Sequence, residues 1–490
     1  MEVPKSALIY LSHTLPRSVA WKATIRDSSC SCWISSTRGG YAHNELRASP
    51  PQYLETLVST VRKVLAEEDG AGHEPLYRRL NWRILPLLVT CYFFANLDRA
   101  NISFAKLQMQ SDLGLSDAIY GLGAGIFFIG YVLFEVPSNL LLPKVGARRT
   151  ITRILILWGL TSAAMMFVHN ATTFYALRFL LGVFEAGFAP GMIFYLTYWY
   201  GPARMARSLA IVLMAGPLSG VLGGPLSAWT MTTFDGALGM AGWQWMFLIE
   251  GIPCLVLSVV VWFTLADKPD SARWLSGHEK ATLKTLVGAP EHQHRSFRNV
   301  ARDPRVYHMG AAYFCLICGI YTINFWLPSV IKANGVHDTM QIGFYTTIPY
   351  IASIVGMTLV GRSSDKWRER RWHSAIPALA AGICLAIATL YSGQFSVSML
   401  LMTSATLAMY GAYTVFWAIP SQHMKGEAAA GGIALINTIG LVGGFVSPTI
   451  IGWAASLTNS LHAGLYVMAG LLFLGSLLLF MLKEPLDTTN

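Results

Sequence analysis

The chain has 490 residues, of which 53% are hydrophobic and only 13% are Asp, Glu, Lys or Arg. A soluble domain carries about 25% charged residues, so an ordinary soluble enzyme is excluded, as is disorder over most of the length. The net charge of +10 raises nucleic acid as a partner, and only the placement of the charges can decide that.

In chain order, residues 1–75 mix Ser, Arg, Pro and Glu with scattered apolar residues and carry no secretory leader pattern. They are expected to be a disordered cytosolic extension, with a short amphipathic helix possible over 53–68. From Trp82 onward, apolar runs alternate with short polar ones. The runs lie at 83–104, 118–141, 151–168, 173–199, 207–230, 244–265, 308–331, 342–361, 374–392, 397–420, 429–453 and 463–482. Each is near the roughly 20 residues that a bilayer-spanning helix needs. The polar stretch 267–305 divides six runs from six. The expected fold is therefore an all-α integral membrane protein, twelve transmembrane helices in two pseudo-symmetric six-helix bundles. The domains are 1–75, the first bundle 76–266, a central cytoplasmic loop 267–305 and the second bundle 306–485.

The halves repeat one another. The second run ends in Lys144, Gly146, Arg148 and Arg149, the eighth in Gly361, Asp365 and Lys366. The fifth carries Gly216, Gly220 and Gly224, a flat ridge for close helix packing. It ends that motif with Pro225, as Gly443-Gly444 and Pro448 do in the eleventh. Two such halves place a site between them. Lys and Arg crowd the loops 2–3, 4–5, 6–7, 8–9 and 10–11, while the opposite loops hold only Lys106 and Lys332. That asymmetry predicts cytoplasmic termini in an inner or plasma membrane. The basic excess then reads as topology and lipid contact, with no nucleic-acid partner. Cys315 and Cys318 fall inside an apolar run without further ligands, so they read as packing residues, and neither a metal nor a cofactor is expected.

A charge at mid-bilayer costs about 2.5–3.5 kcal/mol or more, so those within the runs are functional candidates. Arg99 and Arg178 are the basic ones, and Asp98, Glu135, Glu185 and Glu250 the acidic ones. Arg178 and Glu185 are nearly two turns apart on one helical face. Counting along the chain puts Asp98 level with Arg178 and Glu185 nearer the midplane. Arg99 can hold a carboxylate in a two-point grip. Asp98 and Glu185 can exchange protons. Arg178 is a second candidate for the substrate or an organiser of Glu185. Glu135, with Arg148, Arg149, Asp365 and Lys366, forms a candidate gate at the loop end, and Glu250 reads as structural. The second half offers polar and aromatic groups instead, with Tyr321, Asn324 and Asn437 as candidate substrate contacts.

The paired loop motifs resemble those of the major facilitator superfamily. The stretches Leu97-Asp98-Arg99-Ala100-Asn101, Phe134-Glu135-Val136-Pro137-Ser138-Asn139 and Arg178 to Glu185 resemble its anion:cation symporter branch. Leu113-Gly114-Leu115-Ser116-Asp117 and the residues after it look most like tartrate, sugar-acid and phthalate permeases. The first loop motif departs from the pattern at Pro143-Lys144. The resemblance implies that Asp98 and Glu185 carry protons and that Arg99 binds a substrate carboxylate. The expected function is import of a small organic anion, such as tartrate or a sugar acid, with protons, by a monomer working through alternating access. Export or exchange of amphipathic compounds on the same fold is the alternative, and a transporter-like sensor is a second one.

Overall fold

A computed structural model describes residues 19–26, 29–36, 41–46, 73–287, 302–423 and 427–482. The chain forms two compact units, Met1–Arg78 and Arg79–Asn490. In the first, β1 (Val19–Arg26), β2 (Ser29–Ser36) and β3 (Tyr41–Leu46) form an antiparallel sheet in the order β1-β2-β3. Val19 lies opposite Ser36 and Cys30 opposite Leu46. This differs from the expected disorder of the extension. The strands alternate with period two, but alternation built from Ser and Cys, as in β2, is faint in hydropathy. The candidate helix at 53–68 lies outside the described residues.

The second unit is built of helices. Among the described residues, 12 helices are long and apolar enough to cross a membrane. They are α1 (Glu74–Asp112), α2 (Asp117–Val145), α3 (Ala147–Phe167), α4 (Ala171–Thr197), α5 (Arg204–Thr233) and α6 (Gly242–Thr264). Then follow α7 (Pro304–Ala333), α8 (Thr339–Trp367), α9 (Arg371–Leu390), α10 (Phe395–Pro420), α11 (Gly431–Thr458) and α12 (His462–Met481). The packing repeats as the sequence does. Helix α3 packs on α6 as α9 packs on α12, and α2 on α4 as α8 on α10. Between the bundles, α2 packs on α11 as α8 packs on α5. The α5 glycine ridge faces this second seam: Gly224 lies against Thr346 and the backbone of Gly343, where any side chain would collide. Small residues let the two backbones approach closely.

Helices α1, α4 and α5 are interrupted where the sequence runs on, as α10 is at Trp417. In α1, regular helix stops at Ala100 and resumes at Ile102, with Asn101 at the joint. In α5, helix stops at Leu213 and resumes at Ala215, with Met214 at the joint, three residues before Pro217, which has no N–H to donate. The break in α4 is the sharpest. It begins with a capping box, Asn170 with Thr173. It ends its first half at Glu185, passes through Gly187 at φ +86°, and restarts at Phe188. Only glycine takes that left-handed conformation without strain, and Ser138 of α2 lies close against it.

The end of the bundle opposite the basic loops is closed. Lys106 was expected in a loop, but the helix of α1 continues through it and buries it to 6% exposure. The residues after Ala105 are good helix formers despite their polarity. Its ammonium lies 2.8 Å from Asp117 Oδ1 of α2 and donates to Ser329 Oγ of α7 at 3.2 Å. It also sits 4.3 Å from the centre of the Trp326 ring. Tyr120 donates to the Phe325 carbonyl at 2.8 Å, and Lys332 donates to the Leu107 carbonyl at 3.2 Å. These contacts join the first bundle to the second.

Two outcomes follow from these placements. Gly187→Ala is expected to lower stability by about 1–2 kcal/mol, read as a lower melting temperature in detergent. In a chain carrying Leu327→Cys on the closed seam, Lys106→Ala is expected to raise thiol labelling at that position several-fold; equal labelling with and without Lys106 would show that it does not hold this end shut.

Candidate functional site

The centre of the site is Arg99 on α1. Its Nε donates to Glu185 Oε1 at 2.7 Å, and Nη2 lies 2.5 Å from the same oxygen. Glu185 is fully buried, while Arg99 keeps 14% exposure. Both guanidinium nitrogens crowd one oxygen, so Glu185 Oε2 has no hydrogen-bond partner among the described residues. The break in α4 explains the position of Glu185. It is the last residue of a helix half, and Arg99 supplies the opposing charge. The Arg99 guanidinium also lies 5.0 Å from the Tyr131 ring centre and 5.5 Å from that of Phe127. Tyr321 of α7 reaches Arg99 from the other bundle. Its ring stacks on Phe325 at 5.6 Å and meets Phe128 edge-on at 4.6 Å.

Arg178 is fully buried beside this pair and makes different contacts. Its Nε donates to the Gly123 carbonyl and Nη2 to the Ala124 carbonyl of α2, each at 3.2 Å. It lies 5.1 Å from the Phe127 ring centre, so both arginines address one ring. These bonds make Arg178 a clamp between α4 and α2, acting on Glu185 through space rather than by a bond.

Asp98 faces away from Arg99, into the first bundle, and is 1% exposed. Cys254 of α6 donates weakly to Oδ2 at 3.7 Å, and Asn101 Nδ2 lies 3.4 Å from Oδ1. The same Asn101 amide donates to Glu250 Oε2 at 3.1 Å, and Ser227 of α5 donates to Glu250 Oε1 at 2.7 Å. Asn101, Tyr131, Phe127, Ser227 and Lys106 are the members that sequence reasoning missed. The signal for Asn101 and Ser227 was the cost of a polar side chain in an apolar helix. It was spent instead on Asn324 and Asn437.

Asn324 accepts a 2.6 Å hydrogen bond from Tyr350 of α8. Both line a cavity between the bundles with Asn101, Ser227 and Thr346. Asn437 is half-buried on α11. The structure thus brings Arg99, Glu185 and Tyr321 together, sets Asp98 on their flank, and leaves Asn324 on the neighbouring cavity.

The loop-end candidates lie apart. Glu135 is half-buried, and the charge acting on it is Arg99 rather than a loop arginine. Gly146, at φ +95°, ends α2 and leaves Arg148 to donate its backbone N–H to Asp267 at 2.8 Å. Arg149 and Lys366 are exposed, and Asp365 pairs with Arg370 at 2.6 Å. Glu369 caps α9 through the N–H groups of Trp372 and His373. Burial pushes the Glu369 carboxyl up, but the His373 side chain and these N–H donors outweigh it and hold it below the usual range.

Residues 88–448 match the family model described as Major Facilitator Superfamily. A protein named "Putative metabolite transport protein NicT", from Pseudomonas putida, is 44% identical over 85% of this chain and 96% of its own. A "Putative tartrate transporter" of Agrobacterium vitis is 45% identical over 86% and 95%. A "Quinolone resistance transporter" of Acinetobacter baumannii is 37% identical over 84% and 95%. Among solved structures, an inward-facing bacterial homologue of the lysosomal transporter Spinster superposes with a TM-score of 0.69 at 16% identity, covering 81% of this chain and 96% of that one. At that identity the likeness fixes the fold alone. Two repeated six-helix bundles, a buried charge pair where they meet, and relatives matched along nearly their whole length lead to one conclusion: this chain is a multi-pass membrane protein of the major facilitator superfamily, a secondary transporter of small solutes.

Proposed function

We propose that the protein imports a small organic anion, a carboxylate such as tartrate or a sugar acid, together with protons. The observation that carries this reading is the Arg99–Glu185 pair between the bundles. A substrate carboxylate and Glu185 compete for the same guanidinium. When the substrate takes Arg99, Glu185 is left buried without a contacting cation. An uncompensated buried carboxylate is costly, so a proton binds there instead. Anion and proton then enter the site together, which is coupling. Asp98, buried without a contacting cation, is the second proton site. Tyr321 supplies a contact from the second bundle, so binding draws on both halves. Asn437 and Asn324 are further substrate contacts.

The basic loops face the cytoplasm under the positive-inside rule, as do both termini. The end closed by Lys106 then faces outward. Rocking of the bundles about the α2–α11 and α5–α8 seams exchanges access. One chain contains both halves of the site, so a monomer suffices, with the proton as coupling ion. The quinolone transporter among the relatives favours a second reading, export of amphipathic compounds. Such cargo has no need of Arg99, and Arg99→Ala separates the two.

With L-tartrate as the probe in proteoliposomes, an imposed inside-alkaline gradient is expected to drive accumulation by the native chain. Asp98→Asn and Glu185→Gln are expected to abolish gradient-driven accumulation, and Arg99→Ala to abolish binding. Accumulation undiminished in both carboxyl variants sinks the proton-carrier assignment. The pair also predicts an order of stability. Arg99→Ala strands a buried carboxylate and is expected to cost about 3–5 kcal/mol. Adding Glu185→Gln to it is expected to recover a large part of that loss in a thermal melt, since no charge is then left unpaired.

A further inference from the structure

Glu250 has no place in the mechanism above, yet its surroundings are not those of a structural carboxylate. It lies on α6 at 1% exposure. Ser227 donates to one oxygen at 2.7 Å and Asn101 to the other at 3.1 Å. Among the described residues, no salt bridge reaches it. The titratable group that faces it from α1 is Asp98. From α5 it meets only the Ser227 hydroxyl. Helix α3 packs on α6 with Gly159 and Ala163, against Gly251 and Cys254. Cys254 is the titratable neighbour on its own helix and leans toward Asp98. The buried cation Arg178 acts on Asp98 from α4 and is bonded to the α2 backbone.

Asn101 stands between the two carboxyl groups, and its Nδ2 reaches both, at 3.4 Å and 3.1 Å. Its Oδ1 is buried with no donor. An amide oxygen sealed off in this way lacks a proton donor, and a protonated carboxyl beside it is one. Amide oxygen and nitrogen exchange places by a half-turn of the side chain. The nitrogen that now reaches both carboxyl groups can donate to both, and after a half-turn the oxygen in its place can accept from whichever of them carries a proton. Two like charges sharing one amide in a buried site do not both persist.

We propose that Glu250 is a further proton-exchanging carboxyl group, which shares one proton with Asp98 across the Asn101 amide. The route to it is on the cavity wall. Ser227 and Asn101 both line the space between the bundles. A proton from cavity water forms a bond to Ser227 Oγ as the hydroxyl's own proton leaves for Glu250 Oε1. One O–H bond breaks and one forms at each exchange, and the net result is one proton moved from cavity to Glu250. Asp98 thereby gains a connection to the cavity that its own position denies it. Occupancy of Glu250 sets whether Asp98 can ionise, and so links the α1–α6 interface to the Arg99–Glu185 site one helix turn away on α1.

This rests on the proton-coupled reading, but its test does not. Infrared titration of the purified protein, in a Glu185→Gln background and without substrate, reads protonated carboxyl groups directly. Between about pH 5 and about pH 10, two steps separated by more than about one pH unit are expected from a coupled pair. Glu250→Gln is expected to leave one step, and Asp98→Asn likewise to leave one. If Glu250→Gln does not fold, Asp98→Asn still decides, because the remaining step must then belong to Glu250. A Glu250→Gln titration superimposable on its parent, or an Asp98→Asn titration without any step, overturns the proposal. Loss of gradient-driven tartrate uptake bears on the transport reading alone; the two can fail separately.

Discussion

The structure depends on one ion pair. Arg99 and Glu185 meet at 2.7 Å, and the carboxylate is completely buried. Charge in an apolar interior survives only when paired or when the pairing is used. The break in α4 exists at the point where it places Glu185 against α1, and the glycine at φ +86° is what permits it. The Phe127 ring lies within cation–π range of both Arg99 and Arg178. Around the pair, then, the fold spends its irregular backbone and its positive charge in one place.

That concentration explains the seams. Helices α2 with α11 and α5 with α8 join the halves on either side of the pair. Their contacts use glycine, alanine and threonine, which interlock by shape and carry few bonds that must break when the halves move. The exception is the Lys106 cluster, where an ammonium holds Asp117, Ser329 and the Trp326 face together. Polar contacts there can be exchanged for water, so the closed end is held by interactions that hydration can replace. A purely apolar seal would gain nothing from hydration on opening.

How much of this was legible follows from which physics acts locally. The twelve spans and the repeat were readable because burial in lipid demands long apolar runs, and every helix was found, although α1 runs well past its expected span at both ends. Asp98, Arg99 and Glu185 stood out by cost alone. What the sequence did not reveal was pairing. Spacing put Glu185 on one helical face with Arg178, and counting put Asp98 level with Arg178, but the structure turns the Glu185 carboxylate to Arg99, and Arg178 goes to the carbonyls of Gly123 and Ala124. A glycine in an apolar run has several uses, and a positive φ is one that no pattern announces. Lys106 was misplaced because charge was equated with loop, although long aliphatic stems can be buried when the head is paired. The N-terminal strands escaped for the opposite reason, since Ser and Cys alternate without contrast.

The two halves of the molecule divide the chemistry unequally, and the division has a physical sense. Among the described residues, the first bundle holds the carboxylates and arginines at membrane depth, and the second offers Tyr321, Asn324 and Tyr350. The proposed coupling needs its carboxyl groups and Arg99 close enough to feel one another, because electrostatic coupling falls with distance. Placing them in one rigid bundle keeps Arg99, Glu185 and Asp98 at fixed separations while the other bundle moves. Neutral hydrogen-bonding and aromatic groups from the second bundle can part from the site without stranding a charge. Tyr321 is such a group, within electrostatic reach of Arg99 across the seam. In the proposed mechanism, movement of the second bundle changes access and solvation at Arg99, while the buried charges stay together within the first.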